Sequence, residues 1–204
     1  MRITIVAGAR PNFMKIAPII HAIERLKVKG ERLKYRLVHT GQHYDPKLSA
    51  TFFEELGIPA PDKNLEVGSG TQAEQTSGIM LGFEKELTDY PSDLVIVVGD
   101  VTSTMACSIT AKKLNTKVAH VEAGIRSFDL SMPEEINRMV TDSITDLFFT
   151  TSHFANENLC KAGVPDDRIF FVGNVMIDTL LANRHRFVKP AIWDEKRMRE
   201  KEYI

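Results

Sequence analysis

Three acidic clusters in this chain stand where a strand gives way to a helix: Gly99-Asp100, His120-Val121-Glu122-Ala123-Gly124 and Pro133-Glu134-Glu135-Ile136-Asn137-Arg138. The first two follow apolar runs, Asp93 to Val98 and Lys117 to Val121, that read as buried parallel strands. In an open α/β sheet, ligands bind outside the carboxyl ends of the strands, so carboxylates collected there are placed for proton transfer at one cleft. Each has a plainer alternative. Asp100, just ahead of Val101-Thr102-Ser103, suits a helix cap, and Ser131-Met132-Pro133-Glu134 fits a capping box. Arg126 is the near candidate for an ion pair with Glu122.

The first turn, Gly8-Ala9-Arg10-Pro11-Asn12, lacks the three-glycine dinucleotide fingerprint, which counts against a nicotinamide enzyme. It offers Arg10 and Lys15 around a helix start, cations that suit a phosphate or diphosphate unless they are simply solvated. Gln42 and His43 either contact a ligand or pin their turn. His39 and His43 straddle a strand end and a glycine, so no metal site is expected from them. Ser152-His153 lacks the glycines of a nucleophile elbow, and hydrolase chemistry of that kind is not supported.

Alternating elements must position these groups. Arg2 to Ala7 reads as a strand, and Phe13, Ile16, Ile19, Ile20, Ile23 and Leu26 recur at helical spacing after it. Further strands are predicted near Leu33–His39, Leu94–Val98, Lys117–Glu122, Leu147–Thr150 and Ile169–Val172. Helices are predicted near Pro46–Glu55, through Thr76 to Leu87, and near Thr102–Leu114, Glu134–Ile144, His153–Lys161 and Val175–His185. That alternation argues for a parallel sheet wound on both faces, a Rossmann-like α/β fold. Residues 1–185 form this domain. Residues 186–204 read as a linker and the beginning of a missing second domain, with Tyr203-Ile204 as the first step of a strand.

Bulk properties restrict the partners. The 204 residues carry 26 basic and 27 acidic groups, a net charge of -1 without any block of like charge, so neither nucleic acid nor a membrane surface is expected. A small molecule is the better ligand. The two cysteines, Cys107 and Cys160, lack zinc or disulfide spacing, and a cytoplasmic location is expected.

Taken in order, Gly8-Ala9-Arg10-Pro11 with Lys15, Gly41-Gln42-His43, Gly99-Asp100, His120 to Arg126, Met132 to Arg138 and Gly173-Asn174-Val175-Met176-Ile177-Asp178 resemble the UDP-N-acetylglucosamine 2-epimerases of the non-hydrolysing type. The likeness runs from Met1 to about Leu181. It implies one half of a two-domain architecture like that of the B-type glycosyltransferases, with the other half holding much of the UDP and a catalytic-site histidine. It further implies that Asp100, Glu122 and Glu134 act in proton transfer, that Arg10, Lys15, Gln42 and His43 bind the substrate, that no cofactor or metal is needed, and that the protein is a homodimer. Asn12 stands where many relatives have a glutamate, and Tyr44-Asp45 follow Gln42-His43, departures that bear on regulation by a second UDP-sugar.

The implied reaction is epimerisation at C2 of UDP-N-acetylglucosamine to UDP-N-acetylmannosamine by elimination and re-addition of UDP through 2-acetamidoglucal, serving polysaccharide biosynthesis. Crowded carboxylates repel one another, so one of them is expected to hold a proton for the return step. Alternatives are a hydrolysing epimerase, an epimerase of a UDP-diacetamido-uronic acid, a glycosyltransferase half-domain, or a binding module without turnover. The 204-residue chain alone is expected to be inactive.

Overall fold

The computed structural model describes residues 1–41, 53–188 and 192–196, apart from the side chains of Arg10 and Asp194. Seven parallel strands form one sheet: β1 (Arg2–Ala7), β2 (Lys34–His39), β3 (Lys63–Asn64), β4 (Leu94–Val98), β5 (Lys117–Val121), β6 (Leu147–Thr150) and β7 (Ile169–Phe171). Their spatial order is β3-β2-β1-β4-β5-β6-β7. The order reverses beside β1, so the crevice that a doubly wound sheet offers to ligands opens between the carboxyl ends of β1 and β4. The α/β class and the parallel sheet expected from the sequence are therefore present.

The strands are apolar on both faces because helices cover both. Ile3, Ile5 and Ala7 of β1 join Leu37, Ile96, Val98, Ala119 and Val121 on one side, where Phe13, Ile16, Ile20 and Ile23 of α1 (Arg10–Val28) close the core. The alternate residues Val6, Val38, Val95, Val97 and Val118 face the other side. There they meet Ile79, Phe83 and Leu87 of α2 (Gln72–Asp89) and Ala106, Cys107 and Ala111 of α3 (Thr102–Lys113). Small residues let α3 lie close to the sheet between α2 and α4 (Pro133–Ile144). Helix α5 (His153–Lys161) precedes β7, and α6 (Val175–Asn183) packs on α1, with the Thr179 hydroxyl donating to the Met14 carbonyl at 2.6 Å. A short helix, α7 (Ile192–Glu195), lies within the last described residues.

Several boundaries differ from expectation. Glu122 lies just beyond β5 in the turn that follows, and the last long helix ends at Asn183, where a 3-10 turn, Arg184–Arg186, takes over. β3, two residues long, is too short for any periodicity to announce. The helix expected near Pro46 falls largely outside the described residues, as do Tyr203 and Ile204. Among the described residues no helix is long and apolar enough to cross a membrane.

Thr141 in α4 is fully buried, and its hydroxyl has no hydrogen-bond partner among the described residues. An orphaned buried hydroxyl costs about 1–3 kcal/mol, and valine has the same branched shape without that cost. Thr141→Val should raise the melting temperature by about 2–4 °C in calorimetry; a fall would show that the hydroxyl has a partner after all.

Candidate functional site

The crevice beside β1 is built by close approach of three turns. Gly8 follows β1, and a Cβ there would stand 2.8 Å from the Ser103 Cβ, so only glycine lets this turn lie against the start of α3. Asn12, buried in the first turn of α1, accepts the Gly8 and Ala9 N–H groups at 3.0 and 2.9 Å and donates to the Val98 carbonyl at 3.2 Å. One side chain thus closes the β1 turn and ties it to β4. It also occupies two amides of the turn that leads into α1.

Lys15, one turn further along α1, points to the same place. Its Nζ donates to Glu122 Oε2 at 2.5 Å, with both side chains largely buried. Gly99 lies against this pair, since a Cβ on it would be 3.1 Å from Lys15 Nζ, 3.5 Å from Glu122 Oε2 and 3.7 Å from Asn12 Nδ2. Lys15 and Glu122, expected in one site, are in contact. The ion-pair alternative with Arg126 fails: Arg126 Nη1 instead donates to Asp142 Oδ2 at 2.7 Å.

Asp100 is no helix cap. The N-cap of α3 is Val101, one residue later, and it makes no side-chain cap. The Asp100 carboxylate takes two hydrogen bonds from Arg138, from Nε at 3.0 Å and Nη2 at 2.6 Å, while Asn137 Nδ2 holds the Asp100 carbonyl at 2.9 Å. Asp100 and Glu122 thus each have a cation of their own.

Helix α4 also lacks the expected capping box. Pro133 begins the helix, which makes Met132 the N-cap and Glu135 the third residue; Ser131 lies one position too early and bonds Asp129. Glu134 is exposed and has no hydrogen-bond or ion-pair partner among the described residues, standing one turn before Arg138. Its neighbour Glu135 is buried and accepts from the Ser127 N–H and hydroxyl, the Phe128 N–H and Arg138 Nη1. The two glutamates of one motif therefore divide: one faces solvent, the other clamps the loop before α4.

Sequence reasoning missed Arg138, Glu135 and Asp142 as builders of the site. Asp142, also buried, accepts from His120 Nδ1 at 2.7 Å, from the Gly124 N–H at 3.1 Å and from Arg126. Gln42 and His43 lie outside the described residues, as does the Arg10 side chain. His39 is buried, its ring 5.3 Å from that of Phe13, and burial lowers its basicity.

Burial alone would raise the Asp142 and Glu135 carboxyls, but His120 and Arg126 around the first, and the Ser127 and Phe128 amides with Arg138 around the second, hold both below the ordinary carboxylate range. A carboxylate whose folded pKa is depressed contributes stability above its unfolded value near 4 and loses it as pH falls through the folded one. Thermal unfolding should therefore show a plateau above about pH 5 and a steep loss below pH 4. Glu135→Gln should be less stable at pH 7 and less acid-sensitive; an unchanged acid slope would contradict this.

A family model described as UDP-N-acetylglucosamine 2-epimerase matches residues 26–204. The UDP-N-acetylglucosamine 2-epimerase of Methanocaldococcus jannaschii is 43% identical over 183 residues, 90% of this chain and 49% of that protein. The UDP-2,3-diacetamido-2,3-dideoxy-D-glucuronate 2-epimerase of Pseudomonas aeruginosa is 39% identical over 192 residues, 93% of this chain and 53% of that one. Among solved structures, the Methanocaldococcus jannaschii UDP-GlcNAc 2-epimerase in complex with UDP-GlcNAc and UDP superposes with a TM-score of 0.86 at 40% identity, covering 96% of this chain and 53% of the other. The chain spans about half the length of the curated relatives it matches.

Proposed function

This chain belongs to the UDP-N-acetylglucosamine 2-epimerase family, and from that premise we propose that it forms one wall of a cleft in which UDP-N-acetylglucosamine is epimerised at C2. The observation that carries the reading is the Lys15–Glu122 pair at the carboxyl end of the sheet, with the Asp100–Arg138 pair on the next turn. A second domain, as in the B-type glycosyltransferases, closes the cleft; the chain supplies proton-transfer groups and part of the cationic surface. The complete protein works in the cytoplasm as a homodimer.

No carbonyl acidifies the hydrogen at C2 of an acetamido sugar. Removal of that proton is therefore coupled to departure of UDP: the C2–H electrons form the C1–C2 double bond as the C1–O bond breaks, and its electron pair leaves on the diphosphate. The 2-acetamidoglucal then takes UDP back at C1 and a proton on the opposite face of C2. Glu122, Asp100 and Glu134 are the groups proposed to accept and return protons. Lys15 donates to Glu122, and in this reading its ammonium also answers the charge that grows on the diphosphate as the bond breaks. Arg10, Gln42 and His43 complete the substrate contacts in this reading.

Proton NMR of UDP-N-acetylglucosamine in deuterated water tests the proposal, with the 204-residue chain run beside the complete protein. Deuterium at C2 together with UDP-N-acetylmannosamine supports it. Free N-acetylmannosamine identifies a hydrolysing enzyme, and exchange only with a UDP-diacetamido-uronic acid moves the substrate to that class. The chain alone should be inactive, because one wall of the cleft is absent from it.

A further inference from the structure

Glu122 has a backbone φ of 71°, left-handed and unusual for a residue with a long side chain. Such a conformation persists only where its surroundings over-determine it. Here the Glu122 and Ala123 N–H groups both donate to the Phe149 carbonyl, at 3.0 and 3.1 Å. Two residues on, Gly124 is held from both sides: its N–H donates to Asp142 Oδ2 at 3.1 Å, and its carbonyl accepts from Asn158 Nδ2 at 2.9 Å. The carboxylate that ends on Lys15 thus projects from a turn anchored by Asp142.

His120 extends the anchor to the other carboxylate. It is fully buried on β5, its Nδ1 against Asp142 Oδ1 at 2.7 Å and its Nε2 donating to the Gly99 carbonyl at 2.8 Å, immediately before Asp100. Neither His120 nor Asp142 touches the open crevice, and the proposed chemistry uses neither. Yet together they connect β5, the turn carrying Asp100, the turn carrying Glu122, and α4, which carries Glu134 and Arg138.

We infer that His120 and Asp142 are positioning residues: Asp142 sets Glu122 against Lys15 through Gly124, and His120 sets Asp100 against Arg138 through the Gly99 carbonyl. The inference rests on the epimerase reading for its meaning, but its test needs no substrate. In nitrogen-15 NMR of the complete protein, a Lys15 ammonium protected from exchange reports the Glu122 contact and the Arg138 Nε–H reports Asp100; Lys15→Arg and Arg138→Lys assign the two signals. Asp142→Asn should lose or displace the Lys15 signal while the far-ultraviolet dichroism of the fold is retained.

The two amide replacements of His120 separate positioning from mere packing. Asparagine places its amide near the Nδ1 position, keeping the Asp142 bond and losing the Gly99 contact; glutamine reaches the Nε2 position and keeps Gly99. His120→Asn should displace the Arg138 signal and His120→Gln should largely restore it. Equal effects of the two, or Lys15 and Arg138 signals unmoved by any variant, would overturn the inference. If Asp142→Asn fails to fold, His120→Gln, which gives up the bond to Asp142, decides the Lys15 half as well: that signal should then move, and its staying in place would overturn the inference. Expected shifts in a complete protein that gives no C2 exchange would leave the positioning intact and remove the epimerase reading.

Discussion

Glu122→Gln in the complete two-domain protein should slow deuterium entry at C2 of UDP-N-acetylglucosamine by about 10³-fold, within the range that a positioned acid or base contributes. The variant keeps the shape of the side chain, and the amide oxygen still accepts from Lys15, so the turn with its left-handed backbone stays in place. What disappears is the group that takes or returns a proton. Binding of UDP, measured by calorimetry, should change by less than about tenfold, since Glu122 is itself an anion and in this reading serves the sugar rather than the diphosphate. Retention of normal exchange would remove Glu122 from the proton-transfer set. A large loss of UDP affinity with unchanged turnover would instead assign it to binding.

How much of this site was legible in the sequence follows from what sets each feature. β1, β4 and β5 are apolar runs flanked by turn residues, and burial on both faces writes that pattern directly into the chain. Asp100 and Glu122 lie within two residues of strand ends and Lys15 in the second turn of the helix that follows β1, so the topology of a parallel sheet already gathers them. Their partners are another matter. Asp100 meets Arg138 across 38 residues, and Asp142 reaches Gly124 across 18, because α4 happens to lie over those turns. No local spacing carries that information.

The plain readings failed for a related reason. Both expected caps, Asp100 for α3 and Ser131 for α4, are one residue too early, and in such motifs a single position decides whether an oxygen reaches the orphaned amides. The local rule does succeed at Thr71 and Glu74, whose side chains each accept from the other's backbone N–H at 3.2 and 2.8 Å. That helix starts on the surface. The two at the site start in turns whose carboxylates are claimed by Arg138, and by Ser127 and Phe128. Tertiary demand there overrides the local preference.

Gly124→Ala should destabilise the fold by about 3 kcal/mol, lowering the melting temperature by roughly 6–12 °C. Two penalties combine at this position. Its φ of 78° is left-handed, which costs a residue with a Cβ about 1–2 kcal/mol. A methyl there would also stand 2.9 Å from Leu159 Cγ and 3.0 Å from the Ala155 carbonyl carbon, driving into the backbone of α5, which cannot rotate away as a side chain would. Relief by moving the turn would break the Gly124 bonds to Asp142 and Asn158 and so release Glu122. Gly163 provides the control, with a comparable φ of 84° and nothing within 4 Å of an added Cβ. Gly163→Ala should cost only the conformational part, about 1–2 kcal/mol. If the two substitutions lower the melting temperature equally, close packing of α5 on the Glu122 turn is not what fixes it, and the restraint lies in the hydrogen bonds to Phe149, Asp142 and Asn158.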